Sequence, residues 1–105
     1  MAQIPAQIIE LVKKFVDEAS KDNIRISKAI LFGSYAKGTY HDLSDIDIAV
    51  VSNDFDGISF YDSQKLQDAM LRTSIDIETH PYRPEEFNIE NPFVNEILKY
   101  GYRVV

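Results

Sequence analysis

Between Ile30 and Val51 the chain reads Ile-Leu-Phe-Gly-Ser-Tyr-Ala-Lys-Gly-Thr-Tyr-His-Asp-Leu-Ser-Asp-Ile-Asp-Ile-Ala-Val-Val. An apolar strand ends on Gly33-Ser34, a short helix and a polar connection follow, and a second strand opens with Asp45 and Asp47. Residues two apart on a strand share a face. Asp45 and Asp47 therefore point one way, and Ile46 and Ile48 the other. Two carboxylates on one face repel each other and are costly to desolvate unless a cation sits between them. A divalent ion meets that need, and an all-oxygen ligand set suits Mg²⁺. Gly33 permits a sharp turn and the close approach of a ligand. Ser34 is placed to cap the short helix, whose free N–H groups favour phosphate. An anion cradle beside an acidic pair is what a nucleoside triphosphate with its Mg²⁺ requires.

Gly33-Ser34, Gly38 and Ser44-Asp45-Ile46-Asp47, with ten residues between Ser34 and Asp45, resemble the signature of the DNA polymerase beta-like nucleotidyltransferase superfamily. The short chain and the segment Tyr35-Ala36-Lys37-Gly38 resemble in particular its minimal nucleotidyltransferases, the antitoxins of HEPN/MNT toxin–antitoxin modules. The motif occupies about a fifth of the 105 residues. The resemblance implies an α/β (α+β) fold: a small mixed sheet with helices packed mainly on one face and an acidic cleft at the strand ends. It implies Mg²⁺-dependent transfer of AMP from ATP, with Asp45, Asp47 and Asp76 as the catalytic and metal-binding set. Two metal ions about 3.5–4 Å apart can activate an attacking oxygen and stabilise a leaving one. Asp45 and Asp47 would bridge both ions. Asp76 would hold the ion on the acceptor side and help deprotonate the acceptor. Gly33 and Ser34 would bind the β- and γ-phosphates of the nucleotide. The implied acceptor is a hydroxyl, a tyrosine, of a HEPN-type toxin. Two alternatives stay open: an antitoxin that acts by contact without catalysis, and a small-molecule enzyme of the aminoglycoside-modifying kind. The latter resembles this core with an added helical domain.

Composition narrows the partners. The formal charge is −6, which argues against broad binding to DNA or RNA, since that rests on Lys and Arg neutralising phosphates. Hydrophobic and charged residues make up 45% and 27% of the chain, ordinary for a globular protein. No apolar run reaches membrane-spanning length, Met1 to Pro5 lacks the character of a leader, and there is no cysteine. A cytoplasmic protein folding as a single domain over residues 1–105 is expected. No segment is left to form an acceptor-binding domain, so the acceptor surface is expected on a partner or from homo-oligomerisation.

The rest of the chain reads as follows. Pro5 suits a helix start, and Ile8, Ile9, Leu11, Val12, Phe15, Val16 and Ala19 recur at helical spacing to about Lys21. Lys13, Lys14, Asp17 and Glu18 fall on the polar side. Residues 24–32 contain the first strand. Ser52 to Gly57 is turn chemistry; its faint likeness to a calcium loop fails at Ser52 and Ser63. Phe60 to Arg72 is helical, with Leu66, Ala69, Met70 and Leu71 inward. Ser74 to Thr79 alternates as a third strand carrying Asp76, followed by an irregular connection from His80 to Pro84. Asn91-Pro92 starts a last helix that stops at Gly101, and Tyr102 to Val105 adds a short strand. Gly38-Thr39-Tyr40 does not complete a Walker loop. His41 and His80 lack a second ligand at metal spacing and read as surface or structural residues.

Overall fold

A computed structural model describes residues 4–105; Met1 to Gln3, on which the expectation of no leader partly rests, lie outside them. Helix α1 (Ala6–Lys21) is followed by β1 (Lys28–Phe32), the short α2 (Ser34–Lys37) and β2 (Ile46–Val51). Next come α3 (Ser59–Lys65), α4 (Gln67–Thr73) and β3 (Ile77–Tyr82). A 3₁₀ turn (Pro84–Glu86), α5 (Pro92–Tyr100) and β4 (Tyr102–Arg103) complete the chain. The four strands form one mixed sheet in the order β3-β2-β1-β4. β1 runs antiparallel to β2 and β4, and β2 runs parallel to β3.

Strand alternation divides the core between the two faces of the sheet. On one face Ala29, Leu31, Ile46, Ile48 and Val50 pack with Val12, Phe15 and Ala19 of α1 and with Leu66 and Ala69. On the other, Ile30, Ala49 and Val51 pack with Phe87 and with Val94 and Ile97 of α5. Helices α1, α3 and α4 thus gather on one side, and α5 covers the other. Both faces being covered explains why β2 is buried at five of its six positions. Asp47 is the exception, at the end of the face shared with α5.

Several boundaries differ from the sequence reading. Strand β1 (Lys28–Phe32) falls within the expected 24–32 span, but later elements depart from expectation. The third strand begins at Ile77 and continues through His80-Pro81-Tyr82, which the sequence suggested was irregular. β3 is an edge strand bonded only to β2, so Pro81 can occupy it without breaking a ladder on both sides. Asp76 consequently lies in the turn before the strand, where its carbonyl accepts the Ile46 N–H at 2.8 Å. The helix expected over 60–72 is two helices meeting at Leu66. Leu66 is fully buried, whereas Leu71 is 56% exposed. Glu18 does not belong to a solvated face: it is 8% exposed and receives hydrogen bonds from Lys21 and Arg72, both at 2.6 Å.

The expected turn at 52–57 and the Asn91 cap of α5 are both present. Asp62 is buried and accepts the backbone N–H groups of Asp56 and Gly57 at 2.8 and 2.9 Å, which closes the 52–57 turn. Asn91 caps α5 by accepting from Phe93 and Val94. Gly101 ends α5 in extended conformation. A Cβ there would press on the Ile97 carbonyl and the Ile30 side chain, so close packing is what demands the glycine.

Candidate functional site

The site lies where β1 gives way to α2 and where β2 and β3 begin. Gly33 has φ 73° and ψ −146°, a conformation essentially restricted to glycine. It is itself the cap residue of α2, so Ser34 is the first helical residue, not the cap, and its side chain makes no capping bond. A Cβ on Gly33 would overlap Asp47 Oδ2 and stand 3.2 Å from Asp47 Cγ. The Asp47 carboxylate therefore lies directly over the Gly33 backbone. The Gly-Ser turn and the acidic strand, distant in the motif, meet at this contact because Phe32 and Asp47 are register partners.

The connection into β2 is shaped by its own polar side chains. His41 N–H donates to Ser44 Oγ at 2.8 Å, Leu43 N–H to His41 Nδ1 at 3.2 Å, and Ser44 N–H to the His41 carbonyl at 2.9 Å. Ser44 of the motif and His41 are thus turn builders that deliver the chain to Asp45. At the other end of α2, Gly38 is left-handed, and Tyr35 stacks on Tyr40 with ring centres 4.7 Å apart.

The parallel register pairs Asp47 with Glu78, and strand alternation places His80 on the same face. The ligand atoms of Asp47, Glu78 and His80 all lie within 4.8 Å of one another. His80 Nε2 stands 3.4 Å from Asp47 Oδ1, while its ring packs edge-on against Phe32 at 4.8 Å and near Phe93 at 6.1 Å. Asp45 and Asp76 flank this group at the exposed starts of the two strands and are not part of it. Glu78 and His80 are the residues the sequence reading missed. The signal was present, since Asp76, Glu78 and His80 share one parity in Ile-Asp-Ile-Glu-Thr-His, but Pro81 appeared to end the strand. Beside Gly33 a mainly apolar cleft of about 170 Å³ opens between α2 and α5, lined by Phe32, Ala36, Lys37, Phe93, Glu96, Ile97 and Tyr100.

Comparison with known proteins adds to this geometry. The model of a family described as "Nucleotidyltransferase domain" matches residues 9–104. "Putative protein adenylyltransferase MJ0141" of Methanocaldococcus jannaschii is 32% identical over 103 residues, spanning 93% of this chain and 99% of its own. "Putative protein adenylyltransferase MJ0604" of the same organism is 55% identical over 47 residues, 43% of this chain and 47% of its own. A crystal structure of a "putative nucleotidyltransferase" from Sulfolobus solfataricus superposes with a TM-score of 0.66 at 20% identity, over 92% of this chain and 78% of that one. A toxin–antitoxin structure with AMP-PNP superposes with a TM-score of 0.58 at 25% identity, over 87% and 70%.

Proposed function

This chain belongs to the nucleotidyltransferase domain family and is a nucleotidyltransferase, and from that premise we propose that it transfers AMP from ATP, with Mg²⁺, to a tyrosine hydroxyl of a partner HEPN-type toxin and so acts as an antitoxin. The observation that carries this reading is the seating of Asp47 over Gly33. It joins a glycine turn fit for phosphate directly to a carboxylate fit for a metal. The name borne by the relative from Methanocaldococcus jannaschii supports a protein acceptor, and the likeness to a toxin–antitoxin structure with AMP-PNP supports a toxin and an adenine nucleotide.

The donor chemistry at the strand starts suits a divalent ion: the Asp47 and Glu78 carboxylates lie together, and Asp45 and Asp76 stand just before β2 and β3. Mg²⁺, when bound, supplies activation of the attacking oxygen and charge neutralisation at the leaving one. Asp45 and Asp47 hold it. Gly33 and Ser34 bind the β- and γ-phosphates, and the apolar cleft beside Gly33 takes the base. Asp76 accepts the proton of the acceptor hydroxyl. The hydroxyl oxygen bonds to the α-phosphorus, the bond from that phosphorus to its bridging oxygen breaks, and pyrophosphate departs with the electron pair.

The test is co-expression with the neighbouring gene product, followed by incubation with ATP and Mg²⁺ and intact-mass measurement. A partner that gains AMP, and no longer gains it with Asp47→Asn, supports the reading. A stable complex without added mass replaces it with neutralisation by contact, and transfer to a small molecule alone removes the partner.

A further inference from the structure

We propose that Asp47, Glu78 and His80 form a mixed oxygen–nitrogen site for a divalent transition ion of the Mn²⁺-to-Zn²⁺ series, with His80 setting the ion preference. The inference deepens the proposed function, because it shares Asp47 with it.

Three features support it. The donors come from two adjacent parallel strands in fixed register, Asp47 beside Glu78 and His80 one alternation further, so the backbone itself holds them together. Their ligand atoms lie within 4.8 Å of one another; modest side-chain rotation brings such a group onto one ion at the usual distance of about 2.0–2.2 Å. The imidazole is also oriented. Phe32 packs edge-on against its ring, and Nε2 faces the Asp47 carboxylate at 3.4 Å, longer than a well-formed hydrogen bond. Finally, the charges are uncompensated. Among the described residues no Lys or Arg pairs with Asp47, whose near neighbour is the His80 ring, and Glu78 has no pairing partner. Two carboxylates held together without a Lys or Arg favour a cation between them.

The nitrogen donor decides which cation. Imidazole suits Zn²⁺ and its transition-metal neighbours, whereas Mg²⁺ prefers oxygen throughout. A ligand set of two carboxylates and one imidazole leaves positions open for water or a substrate oxygen, as in catalytic metal sites.

The chain has two histidines, His80 in the group and His41 in the turn outside it, which gives the experiment an internal control. Imidazole proton resonances are followed by NMR during titration of the nucleotide-free protein with Zn²⁺ and separately with Mg²⁺, and affinities are measured by calorimetry. Zn²⁺ is expected to shift the His80 resonances strongly and leave those of His41 in place, while Mg²⁺ at equal concentration, held by oxygen alone, shifts His80 far less. Relative to wild type, His80→Gln should weaken Zn²⁺ binding about tenfold or more and change Mg²⁺ binding by no more than about twofold. Glu78→Gln, at an exposed position that leaves the core intact, should also weaken Zn²⁺ binding. Unmoved His80 resonances at saturating Zn²⁺, or Zn²⁺ affinity unchanged from wild type in both variants, would overturn the proposal. The two readings separate cleanly: a silent His80 with AMP transfer that still depends on Asp47 rejects this site alone, and a Zn²⁺-responsive His80 without transfer keeps it and rejects the proposed reaction.

Discussion

Gly33 and Gly57 both have positive φ, 73° and 89°, yet their surroundings differ. A Cβ on Gly57 would meet the Arg83 side chain at an ordinary 3.4 Å, whereas one on Gly33 would occupy the place of the Asp47 carboxylate. Alanine at either position should lower stability by about 1–3 kcal/mol through backbone strain. Alanine at Gly33 should in addition displace Asp47 and abolish binding of the Mg²⁺–nucleotide. Urea denaturation and nucleotide titration of the two variants check this. Comparable nucleotide affinity in both would show that the Gly33–Asp47 contact carries no binding role. At this scale the sequence was partly legible. A glycine ending an apolar strand announces a special backbone, and Asp47 could be placed by parity. That Asp47 would lie over Gly33, and that Glu78 and His80 would join it, depends on which strands pair and in what register. No local pattern encodes that.

Helices α3 and α4 show how an element can be right in kind and wrong in detail. A periodic run from Phe60 to Arg72 reads as one helix, but the backbone turns at Leu66 (φ −90°, ψ −6°), and that turn carries Leu71 out of the core. Leu66→Ala should therefore lose about 2–5 kcal/mol, as buried leucines do, while Leu71→Ala should stay within about 0.5 kcal/mol. Equal losses in chemical denaturation would contradict the two-helix arrangement. The same region is tied to α1 through Glu18. Hydrogen bonds from Lys21 and then Arg72 hold the Glu18 carboxyl below its usual range, and Arg72 also reaches Asp22 at 2.8 Å. A carboxyl with a lowered folded-state pKa contributes stability that is fully present above the unfolded value of about 4.3 and is lost as pH falls through the folded one. Arg72→Gln should accordingly lower the melting temperature at pH 7, and the gap to wild type should narrow below about pH 4. A gap independent of pH would assign the effect to packing of the Arg72 stem. Neither Glu18's burial nor its partner fifty-four residues away could be read from helical periodicity, which places charged residues outside by default.

Over the whole molecule the two sides of the core share their strands. β1 sends Ala29 and Leu31 to the α1 side and Ile30 to the α5 side; β2 sends Ile46, Ile48 and Val50 to the first, and Ala49 and Val51 to the second. Loss of either set of helices would expose one face of the same central strands, and the antiparallel ladder between β1 and β2 would then be buried on one side only. Unfolding of one side should therefore destabilise the other, and the chain should unfold in one transition. The site strengthens this expectation. Phe93 of α5 packs against Phe32 with ring centres 5.8 Å apart, and Phe32 supports His80 on β3, so the α5 side is coupled to the sheet edge farthest from β4. Thermal unfolding followed by far-ultraviolet circular dichroism and by tyrosine fluorescence, with six tyrosines and no tryptophan in the chain, should give coincident curves, and the calorimetric enthalpy should equal the van't Hoff value. Tyr100 and Tyr102 adjoin the α5 side and Tyr35 lies in the α1 side, so a tyrosine signal samples both. A fluorescence change preceding loss of helix would show that α5 and the rim of the site open first. Saturating nucleotide with Mg²⁺ would then raise that first midpoint and leave the second in place, because a ligand stabilises only the unit that binds it.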